Sequence, residues 1–252
     1  MNRLLYILLL LAITTHFADA ADYEYDQQQG SIRAQWKLDD MCGILTTSGT
    51  QIIHWITDGG SNQGTLSAYG WALSPDAQYY AYFPYTQSYN PNKTPMTALP
   101  VSYTEQSQSQ NGNMKHLNAY DYMTAQAISS ADACHFSFWH IGSIIRMECA
   151  LQGSQTLQSL TISSQGKEIV TSGTVDVTTG MMTPTAYSEA VALQLNNMQI
   201  RKGEKLVAYL MLPTMDLTGT TLSVTITTAD GYSATAKVAG TEILTGRMYP
   251  LE

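Results

Sequence analysis

The sequence predicts an all-β protein, because apolar residues alternate with polar ones, turn residues recur at short intervals and no long amphipathic helix is present. Leu222, Val224 and Ile226 alternate with Ser and Thr, as in a strand with one buried face. Asp230-Gly231 follows as a turn, and residues 232–238 read as the returning strand. No stretch keeps helical periodicity over more than about three turns.

The same pattern recurs along most of the chain. Further strands are predicted at residues 51–57, 70–73, 79–85, 157–163, 174–178, 190–195 and 206–212. Turn residues fall between most of the strands in the second half, including Pro184 and Asn196-Asn197, and a spacing of roughly 8–12 residues is typical of a sandwich or barrel. Residues 116–127 fit either a short helix or an irregular crossing.

The start of the chain predicts a secretory signal peptide over residues 1–20. Arg3 supplies the positive charge, residues 4–13 are almost entirely apolar, and Ala18 and Ala20 are the small residues that signal peptidase requires. A membrane anchor is the alternative, but an apolar run of about ten residues is too short where about 20 are needed. We therefore expect cleavage between Ala20 and Ala21 and export of the mature chain.

The domain organisation follows from a change in composition after residue 128. Residues 129–133 are small and polar, and they precede a strongly apolar run at residues 136–150. The prediction is an N-terminal domain at residues 21–132 and a C-terminal domain at residues 133–252. Either is long enough to bury a core of its own.

The composition argues against several classes of function. Charged residues make up only 13% of the chain, and the net charge is −8 without any cluster of Lys or Arg. This balance argues against binding to nucleic acid or to an anionic membrane. No G-x-S-x-G, H-E-x-x-H or phosphate-binding loop occurs, so neither an enzyme nor a cofactor is predicted. A hydrolase built from scattered loops is the least favoured alternative.

The three cysteines allow one disulfide at most. Cys134 and Cys149 flank one apolar stretch and could meet if it folds back, whereas Cys42 has no such neighbour. We favour three buried free thiols.

Several histidines and aspartates could serve as metal ligands, but we favour structural roles for them. His135 and His140 lie five residues apart, so in a strand they point to opposite faces. Asp39-Asp40 and Asp58-Gly59-Gly60 are interpreted as turns, with a calcium loop as the alternative. No metal site is predicted.

An aromatic cluster between residues 79 and 89 is the strongest functional signal in the residues themselves. In a strand, Tyr80 and Tyr82 share one face, while Tyr79, Phe83 and Tyr85 share the other. Internal packing of most of these rings is the favoured interpretation. The alternative is that Tyr80 and Tyr82 form an exposed platform for sugar rings or for a partner protein.

Four segments of the chain resemble the fimbrillin-like proteins of the Bacteroidales, the type V pilin superfamily. The family's aromatic "YxAYYPY" segment is similar to residues 79–85 (YYAYFPY). Two middle segments, "L-x-x-x-D-Y/L-M/L" and "F-x-F-x-H", are similar to residues 116–123 and 136–141. The closing pattern resembles residues 209–213, the Asp230-Gly231 turn and residues 246–249. The segments follow the family's order and span most of the mature chain.

The resemblance implies two tandem transthyretin-like β-sandwiches and a role as a fimbrial subunit or surface adhesin. Family stalk subunits polymerise with other pilin subunits by strand addition, in which a neighbour's strand fills a groove. It places the exported chain in the periplasm, on the outer-membrane surface or in a fimbrium. Host proteins or glycans are further possible partners.

Two departures from the family shape these expectations. The signal lacks the lipobox cysteine that relatives usually carry, and the chain reaches Glu252 soon after Tyr249. A short C-terminus would make a poor strand donor, so an accessory or tip role is expected. Arg33-Ala34 is a possible protease processing site, although a structural role in the first strands is favoured.

The alternative function belongs to another class. It is a secreted carbohydrate-binding β-sandwich acting with polysaccharide-uptake machinery, with the platform of Tyr80 and Tyr82 as its binding surface.

Overall fold

The protein was analysed as a computed structural model, which describes residues 22–26, 28–68, 74–87, 89, 96–130 and 133–251. These residues form twenty strands and two short 3₁₀ helices, Met96–Ala98 and Lys115–Ala119. The all-β prediction is therefore confirmed. The predicted signal peptide, with Ala20 and Ala21, and the strand predicted at residues 70–73 lie outside the described residues.

The strands alternate with short turns along the chain. In the N-terminal half they are β1 Asp22–Asp26, β2 Ser31–Gln35, β3 Met41–Thr46, β4 Gln51–Ile56, β5 Leu66–Ser67, β6 Gln78–Phe83, β7 Leu99–Ser102 and β8 Met123–Ile128. In the C-terminal half they are β9 Trp139–His140, β10 Gly142–Ala150, β11 Gln155–Gln165, β12 Ile169–Val175, β13 Met182–Ser188, β14 Ala190–Ile200, β15 Lys205–Pro213, β16 Met215–Asp216, β17 Thr221–Thr228, β18 Ser233–Ala239, β19 Glu242–Ile243 and β20 Met248–Leu251.

A six-stranded sheet with the order β5-β4-β3-β6-β8-β9 joins five strands of the N-terminal half to β9 from the C-terminal half. Its two central strands alternate side chains between two apolar layers, since Ile44, Tyr79 and Ala81 pack on one face and Leu45 and Tyr82 on the other. Phe136 and Phe138, from the segment ahead of β9, help cover the first face. Both faces of this sheet are therefore buried at its centre.

The C-terminal half packs two sheets face to face, as a β-sandwich does. The four-stranded sheet has the order β14-β11-β17-β18, and the three-stranded sheet has the order β15-β10-β20. Leu160, Leu193 and Leu210 are buried between them. Strand β20 pairs in parallel with β10, so the last described strand belongs to the chain's own sheet.

Strand β15 lies between two hydrophobic cores, and its sequence explains why. Leu206, Leu210 and Leu212 face the sandwich core, whereas Tyr209 and Met211 face the core shared with the six-stranded sheet. A strand buried on both faces reads as a continuous apolar run rather than as an alternating one. The second core therefore joins the two halves of the chain.

Backbone pairing also connects the two halves. Strand β7 pairs with β12 in the sheet β13-β12-β7, so the pairing crosses the boundary predicted between residues 132 and 133. Gln106 and Gln108 are buried, and their side chains hydrogen-bond to the backbone of β15, for example from Gln106 Nε2 to the Met211 carbonyl at 2.7 Å. The division into two domains stays a prediction.

Two turn predictions were wrong because the residues serve inside strands. Asn196 and Asn197 lie within β14 with φ of 48° and 62°, where the register with β11 shifts. Asparagine tolerates this left-handed conformation, so the pair forms a bulge rather than an end. Pro184 lies within β13, which is the edge strand of its sheet, and proline is tolerated there.

The structure shifts the bounds of one predicted strand and defines a segment for which two structures were considered. The strand predicted at residues 174–178 begins earlier, as β12, and ends at Val175. Residues 116–127 begin with the short helix that was considered, a 3₁₀ helix at Lys115–Ala119, but continue into β8, a regular strand rather than an irregular crossing.

Candidate functional site

The predicted aromatic platform is not exposed at Tyr82. Its side chain is fully buried at 0% exposure, and its hydroxyl donates a hydrogen bond to Gln51 Oε1 at 3.0 Å. Tyr82 lies directly across from Gly43, and a Cβ added there would lie 2.1 Å from its ring. A ring that is enclosed in this way cannot stack on a sugar.

Tyr80 shares this face of β6 and is half-buried against the same core. Strand β6 is central in its sheet, between β3 and β8, and its other face is also covered. The alternative of an exposed aromatic face does not fit Tyr82, because the chain packs a second layer over this face of the sheet. The favoured interpretation of internal packing describes these rings.

Arg33 lies in β2, which pairs with β1 to form a two-stranded hairpin at the N-terminus of the described chain. Its guanidinium is exposed and forms an ion pair with Asp26 of the same hairpin at 2.8 Å. Within the described residues, neither strand of the hairpin pairs with another strand. Cleavage after Arg33 would separate β1 from the rest of the protein.

Side chains, rather than backbone ladders, hold this hairpin to the protein. The Tyr23 hydroxyl donates a hydrogen bond to Asp121 Oδ2, and the other oxygen of Asp121 accepts one from His140 Nδ1 at 2.6 Å. The guanidinium of Arg146 lies 4.4 Å from the centre of the Tyr25 ring. Tyr23, Tyr25 and Ile32 also pack on the core that joins the two halves.

Burial shapes the electrostatics of these contacts. Burial, and then the negative charge of Asp121, raise the pKa of Tyr23, so its hydroxyl remains a donor. Burial lowers the pKa of His140, but the charge and hydrogen bond of Asp121 outweigh it and raise that pKa above its ordinary value. The carboxyl group of Asp121 is only 1% exposed.

A cleft of about 320 Å³ lies between the hairpin and β10. Residues of the hairpin, including Ile32 and Ala34, form one wall. The opposite wall includes His140, Ser143 and Arg247. Sequence reasoning missed this cleft because its residues come from five separate parts of the chain.

Two edge strands expose most of their residues. In β13, the five residues from Thr183 to Tyr187 are all exposed, and the strand carries no charged side chain. In β18, every residue except Val238 is exposed. Exposed edges invite pairing with a further strand, and proteins usually protect them with charges or proline; β13 carries Pro184 and β18 carries Lys237.

On the side of the sandwich where β18 lies, the four-stranded sheet has one strand more than the three-stranded sheet that packs on it. Strands β14 and β15 contact each other at one edge of the two sheets, so β18 and β20 lie at the opposite edge. The apolar side chains there are only partly buried; they are Val224, Ile226, Val238, Tyr249 and Leu251. The three-stranded sheet therefore leaves part of the four-stranded sheet uncovered.

Three of the residues considered for metal binding, Asp40, Asp58 and His140, have other hydrogen-bond partners in the structure. Asp58 accepts hydrogen bonds from the backbone and side chain of Thr65, and Asp40 accepts one from the Lys37 backbone at 2.8 Å. In the described part of the chain, no group of three or more His, Cys, Asp or Glu side chains could hold a metal ion.

The cysteines are all free thiols. Cys42 is buried, whereas Cys134 and Cys149 are half-buried. Burial raises the pKa of the Cys42 thiol, which keeps it protonated and unreactive.

Comparison with known proteins identifies the family. The model of the fimbrillin-like family matches residues 31–251, which is most of the chain. The chain belongs to the fimbrillin-like family. No curated protein matches it in sequence.

Solved structures resemble this chain at low sequence identity. A proposed cell adhesion protein from Bacteroides ovatus superposes with a TM-score of 0.58 at 18% identity, over 90% of this chain and 87% of that one. A second from Bacteroides thetaiotaomicron has a TM-score of 0.49 at 12% identity, over 85% of this chain and 79% of that one. The first of these likenesses shows that the β architecture recurs in a crystal structure. Among the described residues, no helix is long and apolar enough to cross a membrane.

Proposed function

We propose that this chain is an exported, non-catalytic fimbrial subunit or surface adhesin that joins other pilin subunits by β-strand addition. The observation that carries the proposal is the fimbrillin-like family match over residues 31–251. The similar structure from Bacteroides ovatus, described as a proposed cell adhesion protein, supports it. The proposed location is the periplasm, the outer-membrane surface or a fimbrium.

The geometry at β18 and β20 supports strand addition at this side of the sandwich. A strand added beside β20 would lie opposite β18 and cover the partly buried side chains of Val224, Ile226 and Val238. Strand addition of this kind takes its affinity from backbone hydrogen bonds and its specificity from alternate side chains. The added strand would extend the smaller sheet from three strands to four.

The role of β20 supports an accessory or tip position. Residues Met248–Leu251 pair with β10 of the same chain, so these residues are already used within their own sheet. A strand that completes its own sheet is not available to complete a neighbour's. The proposed chain therefore accepts a strand through the β18 and β20 edge.

A pair of charged substitutions on the two exposed edges tests this proposal. Ala234→Lys places a charge on β18, whereas Thr185→Lys places one on β13; both positions are exposed. We expect Ala234→Lys to reduce recovery of pilin subunits with the tagged protein from the native host about tenfold, because Ala234 shares a face of β18 with Val238 and a charge there would lie against the added strand. Thr185→Lys is the matched control and should leave recovery unchanged.

The assay is quantitative mass spectrometry of the subunits that copurify with the tagged chain. Loss of copurification with Thr185→Lys alone would move the proposed acceptor to β13. No copurifying pilin subunit with the unmodified protein would overturn the assembly proposal altogether.

A further inference from the structure

The cleft beneath the hairpin contains two groups that can donate hydrogen bonds to a ligand and that the proposed assembly does not use: the guanidinium of Arg247 and, when His140 is protonated, its Nε2. The hydrogen bond to Asp121 occupies Nδ1 of His140, and Nε2 has no hydrogen-bond partner among the described residues. Gly246 lies against the same ring, because a Cβ added to it would be 3.8 Å from His140 Cδ2. Arg247 follows directly, and in the described part of the chain its exposed side chain forms no ion pair.

The charges around the cleft favour an anion. Asp121 is the carboxylate that lines it, but both of its oxygens are already taken, by Tyr23 and by His140. The titratable and charged groups that face His140 are Asp121 in the turn before β8, Tyr23 in β1 and Arg247 before β20. When His140 is protonated, its charge balances that of Asp121 and Arg247 gives the cleft a positive charge in a chain whose net charge is −8.

We propose that the cleft between the N-terminal hairpin and β10 binds a carboxylate group, which His140 Nε2 and Arg247 hold from one wall. Charge-assisted hydrogen bonds of this kind are about twice as strong as neutral ones. A cleft of about 320 Å³ is near the lower end for small-molecule sites, so it has room for about one residue or one sugar ring. The apolar side chains of Ile32, Ile144 and Met211 would pack against the rest of the ligand.

Two ligand sources share this chemistry, namely an acidic sugar and the C-terminus of a peptide. The probes are galacturonate against galactose, and a tripeptide with a free C-terminus against the same peptide as its amide. Titration is followed by NMR through the ring signal of His140, assigned by comparison with His140→Gln. We expect at least one carboxylate to shift this signal in a saturable way, while its neutral analogue does not.

Variants and pH complete the test. Arg247→Gln should weaken binding about tenfold, because it removes a charge-assisted hydrogen bond. Arg201→Gln, at an exposed arginine remote from the cleft lining, is the matched control and should bind as the unmodified protein does. Binding should also weaken as the pH rises through the pKa of His140.

Three results would overturn the inference. They are the absence of a saturable shift with either carboxylate, equal shifts with the neutral analogues, and unchanged affinity in Arg247→Gln. The Arg247 side chain supports no described contact of the fold, so that variant stays informative even if His140→Gln does not fold. The inference does not rest on strand addition, and failure of the copurification experiment would leave it unaffected.

Discussion

At the scale of single residues, Tyr82 illustrates how a side chain that looks like a binding surface in the sequence becomes part of the core. The Tyr82→Ala substitution should lower the free energy of unfolding by about 3–5 kcal/mol, because it leaves a large cavity where the ring was fully buried. Urea denaturation followed by circular dichroism measures this loss. Tyr232→Ala is the control, since that ring is 73% exposed and its removal should change the free energy by less than about 0.5 kcal/mol.

His140 gives a pH-dependent contribution to stability whose sign follows from its raised pKa. The contribution is fully present below the unfolded pKa of about 6.5 and is lost as the pH rises through the higher folded value. The loss of stability in His140→Gln should therefore be larger at about pH 5.5 than at about pH 9, as measured by urea midpoints. Burial lowers the pKa of His54 and His116. These two residues are present in the unmodified protein and in the variant, so the difference between their free energies of unfolding reports on His140. A difference that grows with pH would contradict this expectation.

At the scale of elements, the two strands of the N-terminal hairpin pair only with each other among the described residues. Tyr23→Phe removes the hydrogen bond to Asp121 while keeping the ring, so the hairpin should open more often. Trypsin can cut after Arg33, and we expect the fragment that begins at Ala34 to appear about tenfold faster in the variant. The rate is measured by mass spectrometry during limited digestion. Tyr187→Phe, at a 53% exposed ring, should leave the rate unchanged.

The elements that could be predicted are those whose buried face is set by local alternation. The hairpin of β17 and β18 follows directly from the alternating residues and from the Asp230-Gly231 turn. Asn196-Asn197 and Pro184 were misinterpreted because the same residues serve as turns, bulges or edge positions, and tertiary pairing decides which. The cleft could not be predicted, because Asp121 and His140 meet through the pairing of β8 with β9 and Tyr23 joins them only when the hairpin docks.

At the scale of the whole molecule, the start of the mature protein remains a prediction that the native host can test. We expect N-terminal sequencing of the secreted protein to begin at Ala21, because Ala18 and Ala20 provide the signal peptidase positions. The hairpin would then be intact, with Arg33 paired to Asp26. A sequence beginning at Ala34 would instead show processing after Arg33. Intact-mass measurement of the same sample distinguishes the two.

The pairing of β7 with β12 has a mechanical consequence for a protein that would be pulled between a cell and its target. Tension applied to one half of the chain would pass into the other through these backbone hydrogen bonds. It would also pass through the side chains of Gln106 and Gln108, which hydrogen-bond to the backbone of β15. Neither half could then extend while the other stayed folded and relaxed. The molecule should yield as one unit under load, with a single rupture event in a single-molecule stretching trace.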